Sequence, residues 1–302
     1  MNFTAKDVSD LRAQTGIGMM ECKKALTEAN GDMEEAVKIL REKGLAVAAK
    51  KAGRIAAEGK VAIKSAGNKA AVIEVNCETD FAAKTDKFVE FTDKLLDIVL
   101  AGGVANVEAL LAAKYDAENT VDDYLKKEVI NSIGENISIR RFEVVEGLLA
   151  SYVHGGGTIG VIVTGETTGD EENAKDVLKN LALQAAAMNP KYLDREAVPA
   201  SVIEAEKEIV LAQIKNDEKN ANKPEAVLEK MVSGKVAKYY TENCLMEQEY
   251  VKGDKETVAK YVAGADKDLK VTGFIRYEKG EGIEKKEEDY AAEVAKLAGT
   301  NA

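Results

Sequence analysis

The chain has 302 residues and a formal net charge of −11, and 45% of its residues are hydrophobic while 31% are charged. This length permits more than one domain with its own core, and the ordinary hydrophobic content excludes wholesale disorder. The acidic balance argues against a broad surface that neutralises nucleic-acid phosphates, and the sequence lacks the apolar run of about 18 residues that predicts a membrane span.

The N-terminus and the cysteines both favour a cytoplasmic protein. The first residues are polar and already have helical spacing, which is not the pattern of a signal peptide. Cys22, Cys77 and Cys244 are widely spaced and form no CxxC pair, which argues against a disulfide framework and against a zinc site. We therefore expect reduced thiols, each a small buried hydrophobe, and no metal or cofactor.

Three short helices are predicted over residues 1–52. Thr4 is placed to cap the first, and the second covers 19–29. Asp32, with Glu35 three residues further on, forms a capping box that opens the third helix. The loops are only a few residues long, so the three helices are expected to pack on each other as a bundle.

A hairpin followed by a helix occurs twice in the sequence. A basic, alanine-rich connector is predicted over 50–59, and apolar runs on both sides of Gly67 then predict the first hairpin, with its helix over 87–100. In the second copy, the glycines at 155–157 separate two predicted strands, and a helix is expected over 172–188. We interpret this pattern as an internal duplication in which a helix covers each small sheet.

A helical hairpin is predicted to interrupt the second copy at residues 189–240. Ser201, with Glu204 three residues on, is expected to cap its first helix, and Pro224 to lie in the first turn of its second helix. Each helix has one apolar stripe. The hairpin therefore either pairs with a second copy of the chain or braces its own domain, and the sequence leaves both open.

The last part of the chain is only partly patterned. A returning strand is predicted over 268–278, followed by a turn at Gly280 to Gly282 and a final helix over 287–297. The segment 241–268 has alternating charge and allows no assignment.

A phenylalanine directly follows an aspartate in the turn between the first hairpin and its helix. This turn consists of Thr79, Asp80, Phe81 and Ala82. Phe81 either packs back onto the core or is offered to a partner. The equivalent turn of the second copy, 164–170, has no aromatic residue, so the duplication favours a partner for Phe81.

Two methionines and the single histidine are further candidates. Met19 and Met20 are adjacent on a helix and cannot both face one core, so one of them is expected to be exposed. His154 has no visibly paired nucleophile, which disfavours a hydrolase. Contact with a partner and a hydrogen bond within its own turn stay open for this residue. The glycines after it lack phosphate-loop spacing, so the chain is not expected to bind nucleotide.

Six blocks of sequence resemble the bacterial elongation factor Ts family. They follow the family's order across nearly the whole chain: TGIGMMECKKAL (15–26), GDMEEAVKILR (31–41), KKAGRIAAEG (50–59), EVNCETDFAAK (74–84), IGENISIRR (133–141) and VTGFIRYEKGEGIE (271–284). The resemblance implies a non-enzymatic guanine-nucleotide exchange factor of translation. The implied partner is elongation factor Tu in its GDP-bound and nucleotide-free forms, with no direct nucleic-acid or membrane partner.

The resemblance also implies an organisation for the chain. The expected fold class is α+β, with a duplicated α/β core of two related subdomains with small antiparallel sheets. The expected parts are a three-helix ubiquitin-associated-like module (1–52), core subdomain N (53–143) and core subdomain C (144–188 with 241–278). An inserted helical hairpin for dimerisation (189–240) and a C-terminal helical module (279–302) complete the chain. A nascent-chain-binding module would use only the first 50 or so residues and leave this core unexplained.

Site residues follow from the resemblance as well. In the family, the stretch that matches Thr79, Asp80, Phe81 and Ala82 inserts into the partner's nucleotide-binding domain and displaces its Mg²⁺. Met19, Met20 and His154 match further partner contacts. Burying one Phe is worth roughly 1.5–3 kcal/mol, or about 10–100-fold in affinity. Loss of Mg²⁺ bridging and movement of the phosphate loop are expected to supply the rest.

Overall fold

The computed structural model describes residues 3–15, 17–217 and 223–284. It confirms the predicted α+β class, with helices around small antiparallel sheets. The helices are α1 (Ala5–Thr15), α2 (Met19–Glu28), α3 (Met33–Lys51), α4 (Asp86–Ala101), α5 (Val107–Ala112), α6 (Val121–Tyr124), α7 (Ile130–Ile133), α8 (Glu171–Met188), α9 (Ala200–Asn216), α10 (Glu225–Asn243) and α11 (Val258–Ala265). The strands are β1 (Glu58–Ala66), β2 (Lys69–Cys77), β3 (Ser138–Glu146), β4 (Leu148–His154), β5 (Ile159–Thr167) and β6 (Leu269–Glu278).

Two sheets form, in the orders β1-β2-β3 and β4-β5-β6. Within the described residues the chain divides into two compact units. The first comprises 3–64, 73–143 and 278–284, and the second comprises 65–72 and 144–277. The five-part division expected from the sequence is finer than this one and stays a prediction.

The first and third N-terminal helices begin where their capping residues predict, and α2 begins after Gly18 without a side-chain cap. Thr4 Oγ1 accepts from the Asp7 N–H at 3.4 Å, and Asp7 Oδ2 accepts from the Thr4 N–H at 2.6 Å. Asp32 Oδ1 accepts from the Glu35 N–H at 2.9 Å and opens α3. Helix α3 is longer than expected, because it continues through the basic residues to Lys51. The predicted connector is therefore shortened to residues 52–57.

The first hairpin forms around Gly67 as predicted, and Gly59 fixes how closely its strands approach. Gly59 has φ = +130°, and a Cβ there would overlap the carbonyl oxygen of Val75 and lie 2.6 Å from the Asn76 Cα. Only glycine adopts this backbone conformation without strain. Gly67 also has a positive φ of +63°, but the space beside it is open.

Replacing Gly59 with alanine is expected to lower the free energy of unfolding by about 3 kcal/mol, because the strain of the positive φ adds to the overlap with β2. Gly67→Ala is the matched control, and its expected cost is about 1 kcal/mol, since only the backbone conformation is penalised there. Urea denaturation of both variants measures the difference. Equal losses in the two variants would show that the close approach at Gly59 contributes nothing.

Helix α4 covers the first sheet, as the duplication predicts. Thr85 Oγ1 accepts from the Phe88 N–H at 3.4 Å and caps the helix. The buried face carries large apolar side chains: Phe88, Phe91, Leu95, Leu96 and Val99. The segment after α4 was not assigned from the sequence. It contains the short helices α5 to α7, with a π-helical turn at Leu125–Val129 between α6 and α7.

The second unit repeats the arrangement of hairpin and helix. Strands β4 and β5 pair antiparallel in a register that runs from Leu148 opposite Gly165 to His154 opposite Ile159. Asp170 caps α8 by accepting from the Glu172 and Asn173 N–H groups. The segment left unassigned in the sequence contains α11 and a 3₁₀ turn, Leu245–Glu247.

The inserted hairpin forms, but its predicted cap is wrong. Helix α9 begins at Ala200 after Pro199, and no side chain caps it, so Ser201 lies inside the first turn. The carbonyl oxygen of Pro199 accepts the first hydrogen bond of the helix, from the Val202 N–H at 3.0 Å, so Pro199 and not Ser201 precedes the helix. Pro224 likewise precedes α10 instead of lying in its first turn. The predicted returning strand is confirmed as β6, whereas the final helix at 287–297 lies outside the described residues.

None of the helices that the structure describes is both long and apolar enough to cross a bilayer.

Candidate partner-binding site

The turn that follows β2 presents Phe81 to solvent. The strand ends at Cys77, whose thiol donates to the Thr79 carbonyl oxygen at 3.0 Å. Thr79 Oγ1 accepts from the Ala82 N–H at 3.2 Å, and a 3₁₀ turn, Ala82–Lys84, leads into α4. The side chain of Phe81 is 78% exposed. The interpretation of Phe81 as a core residue is therefore wrong.

The core below this turn is filled without Phe81. Ala82 and Ala83 are buried beside it, and Phe88 and Phe91 on α4 are 0% and 1% exposed. Lys84 Nζ lies 5.7 Å from the centre of the Phe81 ring, at the limit of a weak cation–π contact. Phe81 is thus a large apolar side chain whose removal costs the fold little.

Asp80 places a negative charge next to this ring. Its carboxylate accepts from Lys84 Nζ at 2.5 Å, one helical turn along the chain. The hydrogen bond and the charge of Lys84 hold the pKa of Asp80 below its ordinary value. The exposed tip of the turn therefore combines an ionised carboxylate with an apolar ring.

Glu135 anchors the base of the turn, a role that the sequence analysis missed. Its Oε2 accepts from the N–H groups of Glu78 at 3.0 Å and Thr79 at 2.9 Å, and its Oε1 accepts from Thr79 Oγ1 at 2.6 Å. Glu78 Oε1 in return accepts from the Asn136 N–H at 2.6 Å. Glu135 belongs to the IGENISIRR block, whose resemblance to the family could have marked it as a candidate. The block itself does not indicate which residues the side chain contacts.

A buried carboxylate on β2 joins three of the sequence blocks. Glu74 is 0% exposed and accepts from Arg140 Nη1 at 2.9 Å, from Arg141 Nε at 2.7 Å and from the Gly280 N–H at 2.8 Å. Burial alone would raise the pKa of Glu74. The hydrogen bonds from Gly280 and the two arginines outweigh burial and lower it, so Glu74 is ionised. The strand that leads into the Phe81 turn is thereby fixed in place.

Met19 and Met20 are both on the surface, at 50% and 65% exposure. The expectation that one of them is exposed is therefore confirmed, and the other is exposed as well. They occupy the first two positions of α2, and the buried face of that helix is formed by Cys22, Ala25 and Leu26. They offer an exposed pair of flexible apolar side chains in the first unit, the unit that also carries Phe81.

His154 lies in the second unit, at the end of β4. It is exposed, and its Nδ1 is 3.0 Å from the Tyr152 hydroxyl. Lys179 Nζ donates to the Ser151 carbonyl at 2.5 Å and lies 5.7 Å from the Tyr152 ring centre. The ring of His154 is therefore hydrogen-bonded to its own strand and not within the turn, and it remains accessible for contact with a partner.

The three cysteines are free and buried, as expected. Burial, with the nearby charge of Glu135, raises the pKa of Cys77 to about 12, and burial raises that of Cys244 to about 11. Such thiols are protonated and unreactive at neutral pH. In the part of the chain that is described, no group of three or more His, Cys, Asp or Glu side chains could hold a metal ion.

Comparison with known proteins gives a family match over most of the chain. The model of the family described as elongation factor TS matches residues 78–281. Elongation factor Ts of Clostridium kluyveri (strain ATCC 8527) is 49% identical over 97% of this chain and 98% of its own length. Elongation factor Ts of Clostridium perfringens (strain ATCC 13124) is 48% identical over 98% of this chain and 99% of its own length. The chain belongs to the elongation factor Ts family.

Proposed function

We propose that this chain binds elongation factor Tu in its GDP-bound form, displaces Mg²⁺ and promotes the release of GDP, so that GTP can rebind. Membership of the family makes the chain a nucleotide exchange factor of translation elongation. The observation that carries the finer proposal is Phe81, which is 78% exposed at the tip of a turn whose base is hydrogen-bonded on both sides.

Phe81 and Asp80 make different contacts with the partner in this proposal. The apolar ring of Phe81 enters a slot between helices of the partner, where its transfer from water stabilises the complex by roughly 1.5–3 kcal/mol. Asp80, ionised beside it, makes polar contacts at the edge of the nucleotide site. Neither effect alone equals the affinity of a GTPase for its nucleotide, so loss of Mg²⁺ and movement of the phosphate loop complete the release.

Thermodynamic linkage explains why binding of this chain to its partner is sufficient to promote GDP release. A factor that binds the nucleotide-free partner more tightly than the GDP form weakens GDP binding by the same ratio. This chain then needs no covalent chemistry, cofactor or metal of its own. We propose that Met19, Met20, Thr79 and His154 add contacts to the partner, and that the complex forms in the cytoplasm. Ala82 is buried and supports the turn from below instead.

The inserted hairpin supports a second, separate proposal. Ile209 on α9 and Val227 on α10 are exposed, while Ile203, Val210 and Val236 are buried. We propose that two copies of the chain pair through residues 189–240. Light scattering of the free protein over a range of concentrations distinguishes a dimer from a single chain.

The proposed exchange activity is tested with purified elongation factor Tu that carries fluorescent GDP. Adding this chain together with excess unlabelled nucleotide is expected to accelerate the loss of fluorescence well above the spontaneous rate. Raising the Mg²⁺ concentration is expected to reduce the acceleration, because free Mg²⁺ rebinds to the partner and opposes the displacement. Unchanged release at stoichiometric protein would contradict the proposal.

A further inference from the structure

The position of Phe81 is set by its backbone more than by side-chain packing. The ring is largely in solvent, with the Lys84 ammonium 5.7 Å from its centre. The turn can hold the ring in one place only if the residues on both sides are fixed. Thr79 Oγ1 accepts from the Ala82 N–H at 3.2 Å and closes the turn over Asp80 and Phe81.

Glu135 fixes the side of the turn that Thr79 occupies. Its two carboxylate oxygens accept from two successive backbone N–H groups and from the Thr79 hydroxyl, at 2.6–3.0 Å. Hydrogen bonds to an ionised carboxylate are stronger and more directional than those between neutral groups. The Thr79 hydroxyl therefore has one defined orientation, in which its lone pair faces the Ala82 N–H.

The segment that carries Glu135 is itself anchored. The Gly134 carbonyl oxygen accepts from Lys51 Nζ at the end of α3. The Asn136 N–H donates to Glu78 Oε1 at 2.6 Å, and Asn136 Nδ2 donates to the Arg54 carbonyl oxygen at 2.7 Å. Glu78 and Glu135 thus each accept from the backbone of the other's segment. Because its own segment is fixed, Glu135 can restrict the motion of the turn.

We propose that Glu135 is a positioning residue for nucleotide exchange: it orders the turn so that Phe81 is already placed for insertion before the partner binds. This inference rests on the proposed function. Side chains and loops that become ordered on binding reduce affinity, and a turn that is ordered in advance avoids that cost. Glu135 acts through Thr79 and makes no contact with the partner in this proposal.

A single tryptophan reports the order of the turn. The chain contains none, so Phe81→Trp introduces a fluorophore at the relevant position without background. Time-resolved anisotropy of this residue is measured alone and combined with Glu135→Ala, Glu135→Gln or Glu118→Ala. Glu118 is the matched control, because its exposed carboxylate pairs with Arg41 in the same unit, away from the turn. Exchange rates are measured for the same three substitutions with Phe81 intact.

Glu135→Ala is expected to increase the fast local motion of the tryptophan and to slow exchange about tenfold. Glu135→Gln retains an oxygen for the two N–H groups and is expected to restore most of the order, with a loss of about threefold. Glu118→Ala is expected to change neither measurement. Thermal melts identify any variant that is unfolded, and Glu135→Gln still tests the proposal if Glu135→Ala does not fold.

Anisotropy that is unchanged in a folded Glu135→Ala protein would overturn the proposal. The proposal would also be overturned if Glu135→Ala loosened the turn without slowing exchange, while Phe81→Ala did slow exchange. If Phe81→Ala itself left exchange intact, the insertion of Phe81 would be wrong. The anisotropy would then still decide whether Glu135 orders the turn.

Discussion

Replacing Asp80 and Phe81 together with alanine is expected to slow GDP release from elongation factor Tu by about 10–100-fold at a fixed, subsaturating concentration. The reason is the loss of the apolar group that is proposed to enter the partner and of the charge beside it. The same substitution is expected to leave the fold intact, because the Phe81 ring is 78% exposed and the core below is filled by other residues. Fluorescent-GDP release and a thermal melt measure the two effects.

Two controls make this prediction specific. Leu45→Ala removes an exposed apolar side chain from α3 and is expected to leave both exchange and stability nearly unchanged. Phe88→Ala removes a fully buried ring and is expected to cost about 3–5 kcal/mol of folding free energy. A double variant that behaves like Phe88→Ala, losing stability and activity together, would show that Asp80 and Phe81 support the fold and would contradict their proposed role.

Replacing Glu74 with alanine is expected to lower the free energy of unfolding by about 3–5 kcal/mol, the range for removing one partner from a buried ion pair. Arg140 and Arg141 would lose the carboxylate to which they donate, and the Gly280 N–H would lose its acceptor. Urea denaturation measures the loss. Glu146→Ala is the matched control, because that carboxylate pairs with Lys69 on the surface and is expected to contribute less than about 1 kcal/mol.

The stabilisation by Glu74 is also expected to depend on pH. The pKa of Glu74 is lowered in the folded protein, so the unfolded chain takes up a proton more readily as the pH falls. The contribution is complete well above the unfolded pKa of about 4.3 and decreases as the pH falls through the folded value. The stability difference between the protein and its Glu74→Gln variant should therefore narrow below about pH 4. A difference that stays constant from pH 7 to pH 3 would contradict this account.

Local signals in the sequence predicted the elements that depend on local physics. Thr4 and Asp32 cap their helices as expected, and the turns at Gly67 and after His154 separate strands as expected. The predicted cap at Ser201 is wrong because the helix begins earlier, at Ala200 after Pro199, which places Ser201 inside the first turn. The apolar residues Val121, Leu125 and Val129 have regular helical spacing, but the π-helical turn at Leu125–Val129 has no local signal in the sequence.

The candidate site was predicted only in part, because its supporting contacts are distant in sequence. The exposed tip, Asp80 and Phe81, was identified from the duplication and the family resemblance. Glu135 lies 56 residues beyond Thr79, and Gly280 lies 206 residues beyond Glu74. No spacing rule connects residues so far apart. The sequence predicted that one of Met19 and Met20 is exposed; both are, because neither position has to face the core at the start of a helix.

The link between Glu74 and Gly280 has a consequence for the synthesis of this chain. Strand β2 leaves the ribosome long before residue 280 has been made. Until then the Glu74 carboxylate, which is fully buried in the folded protein, lacks the hydrogen bond from the Gly280 N–H. Closing a loop of this length is entropically costly, and domains generally fold as units during synthesis. The second unit, which lies almost entirely between residues 144 and 277, can fold before that point. We therefore expect the first unit, which begins the chain, to complete its folding last.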